Sequence, residues 1–177
     1  MTATTVAIDS DRLWASLMEM GSIGATAGGG VGRVALTDLD KQGRDLFVSW
    51  CRDAGLEVRV DYMGNILARR AGADPDAPPV MMGSHLDSQP LGGKFDGAYG
   101  VLAGLEVIRA LNDAGIQTQA PLELVNWSDE EGMRFRSGLV ASAVFAGLHD
   151  LDYGLSMPDQ GSDATFGSEL ARIGYAG

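Results

Sequence analysis

Val80-Met81-Met82-Gly83-Ser84-His85-Leu86-Asp87 opens the stretch on which the fold turns; Gly97 to Ala114 and Pro121-Leu122-Glu123-Leu124-Val125-Asn126-Trp127 complete it. Val80 to Met82 is apolar at consecutive positions, which suits a strand covered on both faces in a buried parallel sheet. Between Gly97 and Ala114, Val101, Leu105, Ile108 and Leu111 fall on one helical face, and Gly115 ends the run. Pro121 to Trp127 reads as the next strand. Strand, helix and strand in that order predict an α/β fold with a mostly parallel central sheet flanked by helices. In such sheets the chemistry sits at the carboxyl ends of the strands.

Upstream, Asp9-Ser10-Asp11 caps a helix with Leu13, Leu17 and Met20 at helical spacing. Thr37 with Asp40 three residues on resembles a capping box, and the helix it opens carries Leu46, Phe47 and Trp50 inward and stops at Gly55. Val58 and Val60 alternate with Glu57, Arg59 and Asp61 as a half-exposed strand, and Asn65 to Ala68 follows as its hairpin partner after Met63-Gly64. Asp74 to Pro79 is a surface loop. Downstream, helices are expected near Gly138 to Gly147 and Thr165 to Gly174.

The chain has 177 residues, 45% apolar and 21% charged, which argues for one globular domain. Thirteen Lys and Arg against 24 Asp and Glu leave a net charge of −11, so nucleic acid and anionic membrane are excluded as partners. Met1 to Asp9 lacks the basic start and apolar stretch of a signal peptide, and nowhere do about 18 apolar residues run together. A single cysteine, Cys51, permits neither a disulfide framework nor a cysteine-based zinc site. A cytoplasmic chain is expected. Its 25 glycines are roughly twice ordinary usage, and Gly28-Gly29-Gly30 with Gly24 and Gly32 marks a mobile loop. That loop is followed by Val31-Gly32-Arg33 and preceded by a helix, so it is neither a Walker loop nor a dinucleotide fingerprint.

Three clusters lie where chemistry is expected. His85 and Asp87 close the Val80 strand, Asp96 precedes the long helix, and Asp129-Glu130-Glu131 follows the Trp127 strand. One imidazole and several carboxylates at one sheet edge form a ligand set for a divalent metal. Strand alternation puts His85 and Asp87 on one side, so the Asp87 carboxylate is expected to accept the second ring N–H of His85. Asp96 at a helix amino end would be pre-oriented by the dipole. Singly, each has a plainer reading: a surface or core histidine, an N-cap, a solvated acidic face.

The strings Gly83-Ser84-His85-Leu86-Asp87-Ser88, Gly92-Gly93-Lys94-Phe95-Asp96-Gly97-Ala98-Tyr99-Gly100, and Asp129-Glu130-Glu131-Gly132-Met133-Arg134-Phe135 occur in order. Together they resemble the hydantoinase/carbamoylase amidase branch of the two-metal aminoacylase and carboxypeptidase (peptidase M20) family. The similarity runs from about Leu13 to the last residue. It implies that His85 binds one metal, Asp96 bridges two, Glu131 binds the other, Glu130 is the general base and Asp87 orients His85. It also implies two divalent ions (zinc, manganese, cobalt or nickel), a small ureido or N-carbamoyl amino acid substrate, and a homodimeric full-length form. That branch includes allantoate amidohydrolases as well as N-carbamoyl-L-amino-acid hydrolases, and the sequence does not separate allantoate or other acyl amino acids from carbamoyl amino acids; Phe95-Asp96-Gly97 and Arg134-Phe135-Arg136 look most like the enzymes of N-carbamoyl-L-amino acids.

Family members are more than twice this length and carry a smaller inserted domain and two further metal-binding histidines. This chain has only His85 and His149, and His149 falls outside the family's ligand pattern. The resemblance therefore implies that residues 1–177 are the N-terminal part of a two-metal, aminopeptidase-like catalytic domain, with the insert and the C-terminal part absent. The alternative is a non-catalytic remnant or binding module of the same fold. No substrate-binding residue is assigned.

Overall fold

The computed structural model describes residues 6–177; the reading of Met1 to Asp9 as leader-free falls partly on residues 1–5, outside the described residues. Helix α1 spans Ser10–Met20, and the Asp9 carboxylate caps it by accepting the N–H groups of Asp11 and Arg12 at 3.1 and 2.9 Å. Helix α2, Asp38–Asp53, starts at Thr37, whose hydroxyl accepts the Asp40 N–H. The expected capping box is only half made. Asp40 turns instead to the Leu36 N–H and the Arg44 Nε, at 2.8 and 2.7 Å, and is fully buried with Arg44.

Strands β1, Glu57–Val60, and β2, Ile66–Arg70, form the expected hairpin. The edge strand β3, Val80–His85, leads to helix α3, Ala98–Asp113, and then to β4, Leu122–Trp127, at the centre of the sheet. Helices α4, Val140–Phe145, α5, Leu151–Leu155, and α6, Phe166–Ile173, follow. Helix α5, a single short turn with too few residues to display periodicity, was not foreseen from the sequence. Helix α4 is shorter than expected because Leu139, at φ 68°, breaks the helical path just before it. A complete capping box between Thr165 and Ser168 starts α6.

The α/β class holds, and the sheet is mixed rather than mostly parallel. Its order is β1-β2-β4-β3, with β3 and β4 parallel and the other two pairings antiparallel. The reason is topological. A short turn forces β1 and β2 antiparallel, β2 then pairs with β4, and among the described residues only the β3-α3-β4 crossover supplies a parallel pair. Strand β3 also differs from its reading as buried on both faces: among the described residues it pairs only with β4, and Val80 is 57% exposed.

The core gathers Phe47 from α2, Ile66 from β2, Val101, Leu105 and Ile108 from α3, Leu124 from β4, and Phe135 with Phe166. Full burial of each large apolar side chain contributes about 1.5–3 kcal/mol, which fixes the sheet under the loops at its carboxyl end. Among the described residues no helix is long and apolar enough to cross a membrane.

Candidate metal centre

His85 and Trp127 are partners in the parallel register, so the loops leaving β3 and β4 start side by side. His85 is buried, and its Nδ1 lies 2.9 Å from the main-chain oxygen of Asp87. A carbonyl can only accept, so Nδ1 carries the proton in that bond. In the neutral ring, Nε2 is then left with a free lone pair. It points toward Glu130 Oε2 at 3.3 Å and Asp96 Oδ1 at 3.9 Å.

The expected contact between the Asp87 carboxylate and the ring proton is corrected: the carboxylate stands 3.6 Å from Nδ1 and the peptide oxygen takes the proton. The carboxylate is committed elsewhere. It accepts the main-chain N–H groups of Glu130 and Glu131 at 3.3 and 3.2 Å, tying the β4 loop to the β3 loop.

Asp96 precedes α3 without capping it; Gly97 holds the N-cap position at φ 62° with no side-chain bond. A Cβ on Gly97 would run into the His85 ring, so glycine is required where α3 begins. The Asp96 side chain, 64% exposed, is left free to face His85. Glu130 and Glu131 diverge, the first to His85 Nε2 and the second to Gln89, whose Nε2 donates to Glu131 Oε2 at 3.0 Å. Gln89 was missed from the sequence, although it directly follows the quoted histidine string, because a carboxamide carries no charge signal.

Asp129 is not part of a solvated face. It is fully buried in the left-handed region at φ 52°, and neither carboxylate oxygen has a hydrogen-bond partner among the described residues. Burial, and then the charges of Asp87 and Asp40, push its pKa up to about 8. For His85, burial works against the proton, but Asp87 and Glu130 outweigh it and raise the pKa to about 9. The edge is thus a concentration of negative charge around one imidazole.

One imidazole nitrogen with carboxylate oxygens on either side suits a divalent cation of mixed N/O preference. Among the described residues, no group of three or more His, Cys, Asp or Glu side chains is drawn together closely enough to hold an ion as it stands. The donors present therefore amount to an open half-shell. His149 is remote in role as well as sequence, being exposed with its ring 4.8 Å from that of Tyr153. Arg134 and Phe135 are structural: Arg134 pairs with Asp159 and Glu169 at 2.8 and 2.6 Å, and Phe135 packs on Phe166.

A model described as Peptidase family M28 matches residues 65–157, just over half of the chain. The chain belongs to that family. The branch named from the motifs is borne out by its relatives, although the matching model carries the M28 rather than the M20 description. An N-carbamoyl-L-amino-acid amidohydrolase of Rhizobium meliloti is 54% identical over 170 residues, covering 96% of this chain and 41% of that protein. A ureidoglycolate hydrolase of Arabidopsis thaliana is 33% identical over 175 residues, covering 98% and 37%. A solved hydantoinase/carbamoylase family amidase from Burkholderia multivorans superposes with a TM-score of 0.96 at 61% identity, covering 98% of this chain and 42% of that one. The chain thus spans about two fifths of the length of the relatives it matches.

Proposed function

We propose that residues 1–177 are the N-terminal part of the catalytic domain of a metal-dependent amidohydrolase, with N-carbamoyl-L-amino acids as substrates. The observation that carries this reading is the orientation of His85: Nδ1 is held by the Asp87 carbonyl while Nε2 faces Glu130 and Asp96. His85, Asp96 and Glu131 would hold the metal, and the remaining ligands and the substrate contacts would come from segments this chain does not contain. Bound divalent ions supply Lewis-acid polarisation of the substrate carbonyl and activation of water.

Each residue has a role in that scheme. Glu130, on the open side of the site, takes the proton from the attacking water and passes it to the leaving nitrogen. Asp87 holds the His85 ring and the two glutamates in one frame. Water and an N-carbamoyl amino acid then yield the amino acid, carbon dioxide and ammonia. The 54% identity to the R. meliloti enzyme supports this substrate class over the ureidoglycolate of the more distant plant relative. A reducing cytoplasm suits the buried, unpaired Cys51.

The competing reading, a non-catalytic remnant or binding module, is favoured by the open arrangement of the donors. Cobalt(II) or zinc titration of the chain separates the two. Weak uptake that disappears in His85→Ala is the expected result. Uptake unchanged by His85→Ala favours the module, and two tight sites per chain would overturn the half-shell.

A further inference from the structure

The glycine-rich segment expected to be a mobile loop is instead tied down. Gly32 N–H donates to Gly24 O at 2.8 Å, and Val31 exchanges both main-chain bonds with Gly92 at 3.0 and 2.9 Å. A Cβ on Gly30 would collide with the Gly92 carbonyl, so this close main-chain approach explains the glycine. The segment therefore lies along the loop that runs from Asp87 to Asp96. Arg33 follows it directly.

Arg33 is 1% exposed, and its guanidinium donates to main-chain carbonyls: Nε to Leu86 at 2.7 Å, and Nη1 to Met20 and Ile23 at 3.1 and 2.9 Å. Its own N–H donates to Ser88 Oγ and its carbonyl accepts the Ser88 N–H, both at 2.9 Å. One residue thus grips Leu86 and Ser88, on either side of Asp87. Burial works against the Arg33 charge; the Asp40 and Asp87 carboxylates favour it, and the main-chain carbonyls offset the rest only where the fork is well placed.

We propose that Arg33 is a positioning residue of the metal centre. It fixes the peptide planes flanking Asp87, and through Asp87 both the His85 ring and the main-chain N–H groups of Glu130 and Glu131. A lysine cannot replace it, because a single ammonium cannot span the Leu86 carbonyl and those of Met20 and Ile23 as a planar fork does. The inference rests on the proposed metal site, but its first readout does not require metal.

The test compares Arg33→Lys with a side-chain control in the core of α3, Ile108→Val or Ile108→Ala, whichever matches its loss of Tm. In the metal-free chain, amide exchange at Ser88, Glu130 and Glu131 should be about tenfold faster in Arg33→Lys than in the control, while Leu105 and Val125 match. Cobalt(II) affinity should fall by about 10- to 100-fold against the control. Acceleration spread evenly over the chain, or affinity equal to the control, would overturn the role of Arg33. If the wild type takes up no cobalt while the local acceleration is seen, the metal reading fails and the positioning of the turn stands. Should Arg33→Lys not fold, Ser88→Ala decides: it must loosen the Glu130 and Glu131 amides selectively, and unchanged exchange there overturns the proposal.

Discussion

The Asp87 carboxylate accepts the main-chain N–H of Glu131 at 3.2 Å, across 44 residues of chain. With the neighbouring bond from Glu130, it uses both oxygens to hold the turn after β4, while its peptide oxygen holds His85. Asp87→Asn leaves the peptide oxygen in place but turns one acceptor into a donor facing an N–H. The variant should lose about 1–3 kcal/mol of stability and about 10- to 100-fold in metal affinity. Urea unfolding and calorimetry check both; a variant equal to wild type in both would remove the clamp from the account.

The divergence of Glu130 and Glu131 separates two roles that adjacent carboxylates would otherwise share. In a longer chain carrying these motifs, Glu130→Gln should lower kcat by about 10²- to 10⁴-fold with metal content unchanged. Glu131→Ala should lose metal as well as activity. Equal metal loss in the two variants, measured by elemental analysis, would overturn the division between base and ligand.

Acid should act through the Arg134 cluster. Burial alone would raise the pKa values of Asp159 and Glu169, but Gly161 N–H and Arg134 on the first, and Arg134 and Arg172 on the second, hold both below the usual range. A depressed folded pKa means stability that is fully present above the unfolded values of about 3.9 and 4.3 and is lost as pH falls through the lower folded values. Arg134→Met should cost about 3 kcal/mol near pH 7, and the Tm gap to wild type should narrow between pH 5 and pH 3. A gap that stays constant over that range would place the effect in packing on Phe135.

Helices α1 and α3 and the β1–β2 hairpin were legible because each is set by local chemistry: the Asp9 cap, the Val101-Leu105-Ile108 stripe, and alternation around Met63-Gly64. Strand direction was not, because β2 pairs with β4 across more than fifty residues and nothing local records that choice. His85, Asp87, Asp96, Glu130 and Glu131 stood out as charged residues at element ends. Arg33 and Gln89 did not, since their partners are main-chain carbonyls and a carboxylate brought near only by the tertiary fold. The contact between His85 and the peptide oxygen of Asp87 was misassigned for a related reason: alternation says which side a side chain takes, not whether a nearer carbonyl intercepts it.

The outer edge of β3 is open. Among the described residues β3 pairs only with β4, so its far side presents unpaired N–H and C=O groups beside the exposed Val80 and Met81. Trp14 and Tyr99 add exposed aromatic surface near the start of α3. An open apolar edge is a template for pairing, and the net charge of −11 opposes association without covering it. The purified chain should therefore scatter light as a species larger than the monomer at micromolar concentration and melt over a broad range. Met81→Lys, which puts a charge on the exposed strand, should shift it toward the monomer. A wild-type chain that is monodisperse, monomeric and sharply cooperative in melting would show that this edge is not a pairing site, and would favour a self-contained module over one part of a larger catalytic domain.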